Sequence, residues 1–468
     1  MKLTKQDYGI GFRIVSVLCA ALLGGMLWRI RGARGFGSMW GMFVVAAGFS
    51  LYAFSIFGER KKIQYALFPW LVILTGITAG GWGTLNSQMS GQLGASALFA
   101  GEEAIRIIDV NPWSGLFLML CLGFGWMPFF AYFFGYYFSS RKYKFKELAI
   151  GVVVFYVAYN LFKATLSHLI VQQLCTDATR LFKEGLADRS LDTTPWGFVL
   201  KNLVSDSAAK KIPGGRNYYA SVAAVSAALA TGALCLYQRL KLKDKIASYI
   251  TCAISGVVAL AITIADIPMI AGAERALIKA PALHNFFKGS HLWSLWEYGT
   301  GFFIGLGVMT IFHMVHKKGK RKELYIKEAF PSIRGVPAII YYSLVGLFAP
   351  LCLTIIRPLG LRLDRDEGVL AYAVIAGLGS VAFLVCLLIV WRNLCKEGPA
   401  GPIKTAFKKF SANAFIIYFL IVCFLYFFVG ESAPILTSNY NYIIVMMIVS
   451  FFALMVLNLV VRKRSETA

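Results

Sequence analysis

WRIRGARGFGSMWG, residues 28–41, sets three arginines among glycines and tryptophans between two apolar runs, at 9–28 and 36–57. Each run has about the 20 residues that an α-helix needs to cross the hydrocarbon core of a bilayer. Roughly eight residues separate them, so Arg29, Arg31 and Arg34 are expected at headgroup depth on a short turn. Similar runs recur along the 468-residue chain, which is 58% hydrophobic, at 65–82, 113–139, 147–174, 218–237, 246–271, 292–314, 337–357, 369–391, 412–429 and 441–461. The runs are continuously apolar and not alternating, which predicts helices over barrel strands, because a helix satisfies its own backbone where water is absent. The expectation is an all-α polytopic membrane helix bundle of about twelve transmembrane helices, forming a single integral membrane domain over 1–468.

Orientation follows from the distribution of lysine and arginine. Basic segments at 60–62, 141–146, 239–245, 317–327, 392–409 and 462–464 fall on one side if Lys2 and Lys5 are cytoplasmic, which puts both termini inside. By this assignment the inner side holds roughly 29 basic and roughly 8 acidic residues, so the net charge of +24 is mostly a topological bias. Such a bias suits the anionic headgroups of membrane lipids, and no basic nucleic-acid-binding domain accompanies it. A bacterial plasma (inner) membrane is the expected location. Nine cysteines occur singly, without a CxxC pair, and read as small packing residues. No cofactor is implied. Gly35, Gly37 and Gly41 only approximate a dinucleotide fingerprint and lack its βαβ context.

The same alternation puts the three arginines on the extracytoplasmic side, against the insertion bias. The simpler reading is that they snorkel to lipid phosphates, with Trp28 and Trp40 as interfacial anchors. The sharper reading is an anion site. Gly32, Gly35 and Gly37 allow close backbone approach, and guanidinium forks match phosphate or carboxylate oxygens.

Other candidate positions are polar residues within or beside apolar runs. Segment 83–112 is too polar to span and is expected to be re-entrant or interfacial, with Asn86 and Gln88 available to orient a substrate. Within it, Glu102 and Arg106 have helical i, i+4 spacing and would pair. Gly123, Gly125 and Pro128 are enough to kink the fourth span. In the fifth, Asn160, Lys163 and Ser167 recur at helical spacing with His168 alongside, and a lysine at membrane depth normally faces an interior with a partner. Asp266 and Glu297 are the expected acidic partners. The outer loop 176–217 has an amphipathic start at Leu174, Leu181, Phe182 and Leu186 and is either a lid or a solvated connection. A basic cytoplasmic loop, 315–336, takes in His316, with His313 just before it. His291 and Glu297, six apart, lack the spacing of zinc ligands, so no metal site is expected.

Two functions fit. The first is a secondary transporter of an anionic solute, with an extracytoplasmic arginine-lined site and Arg29, Arg31, Arg34, Asn86, Gln88, Lys163, His168 and Asp266 as binding residues. The alternative is an integral membrane transferase acting on a phosphate-bearing lipid or lipid-linked substrate at the outer leaflet, with the arginines on the phosphate and His291 or Glu297 as general base. The partner is an anionic small molecule in the first case and a lipid headgroup in the second.

Overall fold

Apolar runs that satisfy their own backbone become helices, and the computed structural model has helices over the described parts of the first eight runs, two of which, 113–139 and 147–174, are each divided between two helices. It describes residues 9–32, 38–57, 61–81, 97–100, 103–107, 112–139, 141, 143–203, 207–268, 281–282, 285 and 292–318. The spans expected at 337–357, 369–391, 412–429 and 441–461 lie outside the described residues, as do Arg34, Asn86, Gln88, His291 and most of the 315–336 loop.

In chain order the main helices are α1 (Ile10–Gly32), α2 (Ser38–Ile56), α3 (Lys61–Gly81), α4 (Pro112–Trp126), α5 (Pro128–Phe138), α6 (Phe145–Ala164) and α7 (Leu166–Leu174). They continue with α8 (Thr176–Ala187), α9 (Pro195–Lys201), α10 (Ser207–Lys210), α11 (Gly215–Leu236), α12 (Lys245–Ala265) and α13 (Leu292–Lys318). Among the described residues five helical stretches are long and apolar enough to cross a membrane: Ile10–Trp28, Lys146–Ala164, Gly215–Lys241, Lys245–Ala265 and Leu295–Lys317. The pair α4–α5, bent by 50° at Met127 before Pro128, makes a sixth if taken as one span. The protein is a helical integral membrane protein.

Apart from the helices, the described residues hold one antiparallel hairpin, Ala97–Ala100 with Glu103–Ile107. Arg106 therefore lies on a strand opposite Leu98, in place of the helical pairing expected with Glu102, which is outside the described residues. The reason is local: ALFA and EAIRI are short runs separated by two residues, a spacing that suits a tight hairpin.

The chain divides into two compact units. The first contains α1, α2, α3, residues 136–145 and α13 from Gly301 onward. Here glycines set the helix approach, as expected where lipid gives no hydrophobic drive to association. A Cβ on Gly24 would overlap the Gly301 carbonyl, and one on Gly305 would overlap that of Ala20. Trp28, expected to anchor at the lipid interface, is instead fully buried, its Cβ against Gly301.

The second unit holds residues 82–135 and 146–300. Its centre is α4, which sets Gly123 on Ala259 of α12 and Gly125 on Ala227 of α11, so that any side chain there would strike backbone. Tyr132 of α5 donates to Leu148 O of α6 at 3.1 Å, and Gly151 makes room for its ring. On α6 the residues Ile150, Val153, Val157 and Leu161 form an exposed apolar stripe at helical spacing. Leu148, Gly151, Phe155 and Lys163 form the buried one. An apolar face turned outward is the signature of a helix against lipid.

Candidate functional site

The inward stripe of α6 ends at Lys163, which is 3% exposed. One residue beyond Ala164 the helix stops. Thr165 has φ −135° and ψ −101°, its side chain bonds back to Leu161 O at 2.7 Å, and α7 begins at Leu166. A break of this kind leaves helix carbonyls needing donors. Trp196 of α9 supplies one, donating Nε1–H to Ala164 O at 3.0 Å.

Around the break lies a polar cluster within an otherwise apolar unit. The Lys163 ammonium donates to Leu203 O at 2.5 Å and to the Tyr219 hydroxyl, and it sits 4.2 Å from the Tyr219 ring centroid and 5.8 Å from that of Tyr159. Carbonyl, phenol and aromatic faces all stabilise a cation. His168, fully buried, places Nδ1 2.9 Å from the Tyr218 hydroxyl and stacks on Trp196, with centroids 5.3 Å apart and planes 15° apart. Its Nε2, also buried, makes no hydrogen bond within the described residues. Ser167 accepts from Ser226 at 2.8 Å. Adjacent tyrosines of α11 thus hold the two basic groups on either side of the break, Tyr219 on Lys163 and Tyr218 on His168.

The predicted stripe forms only in part. Lys163 and Ser167 are buried but Asn160 is exposed, its amide donating to Tyr156 O at 2.9 Å, because on the unbroken helix before Thr165 it falls on the side of exposed Val153 and Val157.

The described residues of segment 176–217 form α8, α9, α10 and the start of α11, and they complete the cluster. On α8, Ala178, Leu181, Phe182 and Leu186 are buried, while Arg180 and Glu184 pair at 3.5 Å on the exposed side. Gly214 takes φ +69° to close against the Leu181–Phe182 backbone, a conformation that favours glycine. This packing brings Trp196 and the Leu203 carbonyl onto the break. Neither was a candidate from sequence. Pro195-Trp196 is conspicuous there, but a backbone carbonyl carries no residue signature.

The other candidates are placed as follows. Asp266 is fully buried at the C-terminal end of α12, and Glu297 is 8% exposed on the first turns of α13 beside buried Trp296, which stacks on Trp126 at 6.5 Å. Arg29 and Arg31 lie on the last turns of α1, which runs to Gly32 and so carries them on a helix in place of the expected turn. No glycine or proline falls between Gly25 and Gly32, arginine is a good helix former, and a cation is favoured at a helix C-terminus. Arg31 is 7% exposed, 5.5 Å from the Trp28 ring centroid and 3.9 Å from Met42 Sδ.

His313, expected at the edge of the basic loop, is buried within α13, its Nε2 2.6 Å from Ser16 Oγ and its ring edge-on to Phe12 and Phe57. Tyr52 donates to Ser16 O at 3.0 Å, so this second polar knot ties α1, α2 and α13 together in the first unit. Its residues give no sequence signal, because single serines and tyrosines are common in apolar helices. Among the described residues no three His, Cys, Asp or Glu side chains gather as metal ligands.

Comparison with protein families, with curated proteins and with solved structures finds no match to this chain.

Proposed function

We propose that the protein is a secondary transporter of an anionic solute, with Lys163 as the cation that receives it. The observation that carries this reading is a buried lysine at the break of an apolar, lipid-facing helix. An ionised group at such a place is costly, and broken helices with buried charge are the usual construction of a solute site in transporters. The groups around the ammonium suit exchange. A carbonyl and a phenol stabilise the cation when the site is empty, and a carboxylate or phosphate oxygen makes a stronger, charge-assisted bond in their place. His168 and Tyr218 add a donor and acceptor pair beside it. Arg29, Arg31 and Arg34, on the extracytoplasmic side by the alternation of basic loops, raise the local anion concentration there. Asp266 and Glu297 are the carboxylates available for coupling to a proton. The location that fits is a bacterial inner membrane.

Binding is the first test. The melting temperature of the purified chain is measured with inorganic phosphate, sulfate, acetate and citrate, for wild type and Lys163→Met. Saturation at about 100 times Kd stabilises by about 2.7 kcal/mol, enough to shift the transition clearly. At least one anion class is expected to stabilise wild type and not Lys163→Met. Equal shifts in both proteins would remove Lys163 from the site.

A further inference from the structure

We infer that the turn joining α11 to α12 is a binding site for the phosphate of an anionic phospholipid. Independently of any transported solute, it assigns to this end of the second unit a lipid partner held by Lys146, Arg239, Lys241, Lys243 and Lys245.

The turn is built to present charge. After Leu236 the helix widens into a π turn, Tyr237–Lys241, in which Leu242 N–H reaches Tyr237 O at 3.1 Å. Asp244 N–H then bonds Gln238 O at 2.9 Å, and Lys243 takes φ 55°. Widened turns of this kind are frequent at functional positions. Arg239, Lys241, Lys243 and Lys245 alternate along it and all four are exposed. The Tyr237 hydroxyl donates to Glu147 O at 2.9 Å, which brings the exposed Lys146 of α6 to the same end.

Three features separate this cluster from an ordinary solvated face. None of its five cations makes an ion pair or hydrogen bond within the described residues. The acid inside the run, Asp244, is turned away: it is 6% exposed and caps α12 by accepting from Ala247 N–H at 2.9 Å. Large apolar side chains are exposed on the same turn and on the helix ends that flank it, with Leu240 at 68% and Leu236 and Tyr249 each at 56%. Water alone favours the cations and opposes the leucines. A bilayer interface accepts both, with ammonium and guanidinium groups on phosphates and the apolar residues at the acyl boundary.

The test places a photo-reactive benzoylphenylalanine at Leu240 in the full-length protein, reconstituted in nanodiscs of phosphatidylcholine with a minority of phosphatidylglycerol. After illumination, the lipid attached to the 240 peptide is identified by mass spectrometry. Phosphatidylglycerol should be enriched over its bulk fraction by about fivefold or more, the effect of one basic residue at an anionic surface. The enrichment should fall to the bulk ratio in the variant carrying Lys146→Gln, Arg239→Gln, Lys241→Gln, Lys243→Gln and Lys245→Gln. Should that variant fail to fold, raising salt on the wild-type background must erode the enrichment, because exposed charges are screened. Adducts at the bulk lipid ratio, enrichment that persists through the substitutions and at high salt, or attachment to protein or nucleic acid in place of lipid would each overturn the assignment.

Discussion

Lys163 and His168 sit on opposite sides of one interruption in the backbone, and each is held by a tyrosine of α11. Lys163→Met keeps the apolar stem and removes the ammonium, so two effects compete. The lost bonds leave the Tyr219 oxygen short of a donor, at about 1–3 kcal/mol, with Tyr219 O–H still donating to Leu203 O at 3.3 Å, while the cost of burying a charge disappears. We expect the variant to fold with a melting temperature close to wild type and with no response to anions; circular dichroism and the anion titration check both. Trp196→Phe keeps a ring on His168 but leaves Ala164 O without its donor, and should cost about 1 kcal/mol in denaturant unfolding. An unchanged midpoint would show that water serves that carbonyl equally well. At this scale the charged members were legible in the sequence, because a lysine in an apolar run stands out. Tyr218, Tyr219 and Trp196 were not, in a chain with 15% aromatic residues. Leu203 acts through its carbonyl, which its side chain does not encode.

Helices in this protein approach one another through glycine. Gly125 meets Ala227, Gly123 meets Ala259, and Gly24 meets Gly301, each at a separation that a Cβ would not tolerate against backbone. Gly125→Val should therefore force α4 away from α11 and destabilise the second unit by about 1–3 kcal/mol or more. Gly232→Ala, at a position where a Cβ meets nothing within 4 Å, serves as the control and should be nearly neutral or slightly stabilising through helix propensity. Equal effects in the pair would contradict the close-packing account. The long helices were legible because apolar length is a direct physical requirement of spanning. The bend at Pro128 was legible from its proline. The break at Thr165 was hidden, since threonine is not a strong helix breaker, and what stabilises the interruption is Trp196, 32 positions from the Ala164 carbonyl it serves. The hairpin at Ala97–Ala100 and Glu103–Ile107 was hidden for a related reason: strands this short barely differ in pattern from a polar helix or loop.

Across the whole chain, the distribution of basic residues fixes which side each loop occupies in our account, and the arginines at the end of α1 are its most exposed consequence. With native cysteines replaced, Ala33→Cys should react with an impermeant thiol reagent applied to intact cells or spheroplasts; labelling only from the cytoplasmic side would invert the topology and remove the outer anion cluster. The central claim is that an anion bound at Lys163 crosses the membrane, and the most direct measurement is flux. Proteoliposomes containing the full chain are loaded with whichever anion raises the melting temperature, and exchange of its radiolabelled form from outside is followed. The account predicts saturable accumulation by wild type that falls to the level of empty vesicles with Lys163→Met. Accumulation by Lys163→Met at the wild-type rate, or binding by wild type without any exchange, would contradict it.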